Sequence, residues 1–141
     1  MEKNTGSFRV RFGRISYLVL AIIFAICVVV QVFLAGLATF VNPINWANHS
    51  ALVHAFGFSI PIFMLVFAFA GNMPRFAYWQ IFGMLGLVFA MYFTANITGA
   101  LPWAAAAHPV IAMLLFILSF VMVSKTWRFL FNKKNSKQGE N

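Results

Sequence analysis

Acidic residues are nearly missing from this chain. The only two, Glu2 and Glu140, lie at its ends, and no Asp or Glu stands between them. That excludes a carboxylate proton relay, a carboxylate-driven exchanger and a hydrolase built on paired carboxylates. There is one cysteine, Cys27, within an apolar run, which excludes an intramolecular disulfide, a CxxCH heme attachment and an all-cysteine cluster. No P-loop, GxGxxG fingerprint or Ser/His/Asp arrangement can be read. Charged residues make up only 9%, against 62% hydrophobic, and mean hydropathy is +0.87. Such a chain has too little polar surface for a soluble globule and too much apolar surface to stay disordered.

What is present is long apolar sequence with a few interruptions. A membrane-crossing helix needs about 20 apolar residues for a hydrocarbon core about 30 Å thick, so 141 residues hold one domain of four spans. The expected fold is all-α, an integral membrane four-helix bundle with spans at about 16–40, 50–70, 76–97 and 105–124. Basic tails, 1–15 and 125–141, flank them. Asn42-Pro43 ends the first span and a loop to Asn48 carries Trp46. Asn48 or Ser50 caps the second span, Pro61 kinks it and Gly71-Asn72-Met73-Pro74 breaks it. Thr98-Gly99, with Pro102 beyond, separates spans three and four. Because 15–41 is much longer than the apolar core of a signal peptide, about 7–15 residues, the first span reads as a retained anchor.

The charges then orient the bundle. Lys3, Arg9, Arg11 and Arg14 precede span one, Arg75 lies between spans two and three, and Lys125, Arg128, Lys133, Lys134 and Lys137 follow span four. The other two loops carry no Lys or Arg. All ten basic residues thus share one side, which the positive-inside rule assigns to the cytoplasm, with both termini there. The expected location is the cell membrane, as a multi-pass protein, with a bacterial plasma membrane as the setting. The net charge of +8 reflects topology and contact with the lipid bilayer, and nucleic acid is not an expected partner.

With the direction fixed, spans two and four both run away from the charge-free side. His54, about one turn below Ser50, and His108, at the start of span four, fall at similar depth on parallel helices. Neutral imidazole is a metal ligand, and one histidine from each of two helices can take the axial positions of a heme iron. Gly57, three residues after His54, and Ala112 after His108 leave room for a flat macrocycle, and Phe56, Phe58 and Phe93 supply apolar walls. His49 lies about 140° around the helix from His54 and reads as an interfacial hydrogen-bond partner. Gln31, inside span one, reads as a contact to a cofactor or quinone, or as an interhelical hydrogen bond. The alternatives are histidines that only bond between helices, in a non-enzymatic accessory or transport subunit, and an outer-face quinone or metal site built on His49, His54 and His108.

The stretches Gln31-Val-Phe-Leu-Ala-Gly36, His54-Ala-Phe-Gly57 and His108-Pro-Val-Ile-Ala112 resemble one four-helix half of heme A synthase and other four-helix b-type cytochromes. The chain also resembles a family of small four-span bacterial membrane proteins of unassigned function. The first resemblance implies heme b between the second and fourth spans, held by His54 and His108. The chain departs from heme A synthase in lacking a carboxylate one turn before His54, an arginine after it (here Ala55) and a cysteine pair in the first outer loop. Heme oxidation is therefore not the expectation. Electron transfer or heme handling is, with a quinone or another membrane redox subunit as partner, and homodimerisation is open.

Overall fold

The computed structural model describes residues 2–131, with side chains from Ser7 onward. Every regular element among the described residues is helical: α1 (Glu2–Phe40), α2 (Asn45–Phe56), α3 (Ser59–Ala70), α4 (Arg75–Asn96), the single turn α5 (Pro102–Ala105) and α6 (His108–Phe131). These form four apolar stretches long enough to cross a membrane: Ser7–Phe40, Asn45–Ala70, Arg75–Asn96 and Pro102–Phe131. α1 packs on α2, α3 and α6, and α4 packs on α3 and α6. The spans therefore close an up-down-up-down ring in which the α2–α3 span lies diagonally opposite α6.

Several boundaries differ from those the sequence suggests. The second span opens at Asn45, not at Asn48 or Ser50, so Trp46 and His49 are helical. The cause is a compact corner: Asn42 Oδ1 accepts the Ile44 amide at 3.0 Å and Asn45 Nδ2 donates to the Asn42 carbonyl at 3.0 Å. The break in this span falls at Gly57-Phe58, ahead of Pro61. A proline disrupts the helix four residues upstream, because it offers no N–H there and its ring crowds that carbonyl. At the start of α6, Pro109 sits at the second position, where a missing N–H costs nothing, and His108 is helical. The regions expected as tails are helical as far as described, since α1 begins at Glu2 and α6 runs to Phe131. Lys133, Lys134 and Lys137 lie outside the described residues.

One end of the bundle gathers the described basic side chains. Arg14 Nε donates to the Gly71 carbonyl at 2.9 Å and its guanidinium lies 5.0 Å from the Phe129 ring centroid. Lys125 Nζ stands 5.9 Å from that of Phe76. Close approach makes this end tight: a Cβ on Gly13 would stand 2.7 Å from Gly71 Cα, and one on Gly71 2.8 Å from the Arg14 amide nitrogen. Small residues that let backbones touch are a usual device of membrane bundles. Beside the Gly13 and Gly71 contact, Asn72 takes a left-handed conformation (φ 45°), which asparagine tolerates better than most residues. The core runs from here to mid-bundle through Tyr17, Ala21, Phe24, Met64, Ile81, Met84 and Met122. Phe24 and Phe56 meet edge to face at 5.2 Å near its upper limit.

Candidate functional site

Beyond that layer the helices separate around a cavity of about 1160 Å³ at the charge-free end. α1 lines it with Val28, Gln31 and Gly36, α2 with Trp46, His49 and Val53, α4 with Val88 and Tyr92, and α6 with Ala112 and Leu115. Cavities that take drug-sized ligands run about 300–1,000 Å³, so this one suits a large ligand. Its lining is mostly apolar, and no Lys, Arg, Asp or Glu contributes to it.

All three histidines line this cavity, and each bridges two helices through Nδ1. His54 Nδ1 lies 2.9 Å from Tyr92 Oη, with the two rings stacked at 5.4 Å, and Phe58 also stacks on Tyr92, at 5.3 Å. His108 Nδ1 lies 3.0 Å from Thr94 Oγ1. Their partners stand two residues apart on α4, about 3 Å along its axis and about 200° around it, so His54 and His108 meet α4 at neighbouring levels on different faces. His49 is about 7.5 Å nearer the charge-free end, as its five-residue offset requires. Its Nδ1 lies 3.1 Å from the Gln31 carbonyl, and Trp46 meets it edge-on at 5.6 Å.

The partners decide which nitrogens carry protons. A carbonyl oxygen only accepts, so His49 Nδ1 carries the hydrogen and Nε2 of the neutral ring holds a lone pair. The Thr94 hydroxyl has one hydrogen and lies 2.8 Å from the Ala90 carbonyl and 3.1 Å from that of Met91. With that hydrogen spent on α4 itself, His108 Nδ1–H donates to Thr94 Oγ1 and its Nε2 lone pair is also free. At His54 both directions are open, since Tyr92 Oη donates or accepts. Among the described residues, no group of three or more His, Cys, Asp or Glu is arranged to hold a metal ion. The offset and rotation of His49 from His54 explain why the three imidazoles do not form one tridentate set.

Gln31 and Gly57, both expected at the site, line the cavity. Gln31 is only 8% exposed, yet its Oε1 has no hydrogen-bond partner. Of the expected aromatic walls, Phe56 is in place. Phe93 instead faces a separate hollow of about 370 Å³ with Phe89 and Ile97, and Phe58 is spent on Tyr92. Tyr92 and Thr94 are the histidine partners that the sequence reading did not assign. Their signal was present: two hydroxyls two residues apart near the charge-free end of the span, followed by Asn96.

Residues 31–99, just under half of the chain, match a family of unknown function (DUF6220). The match covers Gln31, His49, His54, Gly57, Tyr92 and Thr94 and stops before His108. No curated protein and no solved structure matches the chain.

Proposed function

We propose that this is a multi-pass protein of the cell membrane, with both termini cytoplasmic, that holds heme b in its outer-leaflet cavity for electron transfer or heme handling. The observation that carries this reading is that His54 and His108, on diagonally opposed spans, both line one large apolar cavity. The donor set fits the group. Histidines that ligate a metal ordinarily donate their other N–H to a second-shell acceptor, and His108 does so to Thr94. His54 does the same when Tyr92 Oη accepts. Bis-histidine heme, when bound, supplies reversible one-electron transfer. Tyr92 and Thr94 orient the rings, Gly57 and Ala112 leave space, and Ser50, Trp46 and Asn96 offer the propionates neutral donors in place of cations. With no carboxylate in the spans, this reading favours a carrier or relay over a stand-alone catalyst.

The test is an absorption spectrum of protein purified from heme-replete cells. A Soret band that disappears in His54→Ala and in His108→Ala supports the reading. Colourless wild-type protein sinks it, as does a band that persists when both histidines are replaced. A second reading is favoured by a specific observation, namely that each imidazole already bonds to a neighbouring helix. In that case the histidines hold an accessory or transport subunit together, and their loss lowers thermal stability with no change in pigment.

A further inference from the structure

Two features of the cavity have no part in gripping a heme. The first is Gln31. A buried carboxamide without partners loses about 1–3 kcal/mol relative to one that is satisfied, so such groups are nearly always bonded to something. The Gln31 side chain is more than nine-tenths buried, lines the cavity and has an unpartnered Oε1. Beside it His49, pinned through Nδ1 to the Gln31 carbonyl, lines the same space and keeps an acceptor lone pair on Nε2. The second is the cavity wall between α1 and α6. Val32, Phe33 and Phe40 of α1 and Met113 and Phe116 of α6 line the cavity and are also strongly exposed. A Cβ placed on Gly36, between them, would meet nothing within 4 Å. The cavity is therefore open sideways, through an apolar mouth at membrane depth.

From these we infer a binding site for an isoprenoid quinone, its ring at Gln31 and His49 and its tail leaving between α1 and α6 into the bilayer. The absence of Lys and Arg from the lining disfavours phosphate or carboxylate headgroups and selects a neutral one. A carboxamide both donates and accepts, so Gln31 serves the carbonyl of a quinone and the hydroxyl of a quinol, and His49 Nε2 accepts from the latter. The inference stands on the cavity and does not require the heme.

The experiment titrates full-length protein in detergent with a decyl-substituted 1,4-benzoquinone and follows fluorescence quenching, using Trp46→Phe to isolate the signal of the indole in the cavity wall. Saturable quenching that depends on Trp46 is expected, with affinity falling about tenfold in Gln31→Met, the loss of one buried hydrogen bond. Gly36→Phe, whose Cβ meets nothing within 4 Å and whose ring adds bulk at the mouth, weakens binding at least as much. Non-saturating quenching, or unchanged affinity in Gln31→Met, overturns the proposal. If Gln31→Met does not fold, Gly36→Phe decides by the same criterion. The Soret band of the same samples separates the two readings: saturable quenching in colourless protein removes the heme and keeps the quinone, and pigment without saturable quenching does the reverse.

Discussion

His108 Nδ1 lies 3.0 Å from Thr94 Oγ1, which itself lies 2.8 Å from the Ala90 carbonyl, so one hydroxyl couples an imidazole on α6 to the backbone of α4. Thr94→Val keeps the shape and removes the acceptor. We expect it to lower heme affinity about 10- to 100-fold, the usual effect of losing a second-shell partner. Thr94→Ser restores the acceptor and should retain near wild-type affinity. Heme titration of protein from heme-depleted cells measures both.

The Tyr92 and His54 pair gives a sharper division between the two readings. Tyr92→Phe deletes one hydrogen bond but keeps the stack between the rings. If His54 ligates heme, this variant keeps its pigment with a shifted midpoint potential, while His54→Ala loses it. If His54 is a helix tie, neither changes the pigment and both lower the melting temperature, Tyr92→Phe by the equivalent of about 1 kcal/mol and His54→Ala by more, because it also removes the stack. Potentiometry and thermal melts on the same preparations tell them apart.

Gly13 and Gly71 hold the basic end together by backbone contact, with no room for a Cβ on either. Gly13→Val should destabilise by at least about 1–3 kcal/mol, the range for overpacking, and drive the protein toward aggregation in detergent. Gly36→Ala, by contrast, adds a methyl where nothing stands within 4 Å and should be neutral or slightly stabilising through helix propensity. Thermal unfolding followed by circular dichroism checks the contrast.

Much of this bundle was legible because a bilayer leaves few options: apolar length gives the spans, and the Gly71 to Pro74 turn and Arg75 gave the third-helix start to within a residue. The same counting put His54 and His108 at the charge-free end, and both line the cavity there. What could not be counted was lateral. Which face of α2 would turn to α1 and which to α4 depends on packing, so Phe58 and Phe93 were expected at the cavity and lie elsewhere. The early start of α2 also escaped, because Asn42 and Asn45 cooperate across three residues to build a corner that cap preferences taken singly do not reveal.

Three further polar groups are buried without partners toward the basic end: Tyr17 Oη, Gln80 Oε1 and Thr126 Oγ1. Where a hydroxyl makes no bond, replacing it by an apolar group of the same shape is neutral or stabilising. Tyr17→Phe and Thr126→Val are therefore expected to hold or raise the melting temperature. A fall in either would mean that ordered water satisfies the group, since removing such a partner is costly.

The interruption at Gly57 has a mechanical meaning. Since Pro61 has no N–H to offer the Gly57 carbonyl, the covalent chain continues there without the bond that stiffens a helix. α2 is then a lever of twelve residues, about 18 Å long, pivoting on a fixed base. His49 and His54 ride on this lever, while His108 belongs to the unbroken helix α6. A swing of about 10° would carry the lever tip by about 3 Å, a substantial fraction of a ring-to-ring spacing. A bend at this missing bond would therefore shift His49, near the far end, much more than His54, which lies only three residues from it.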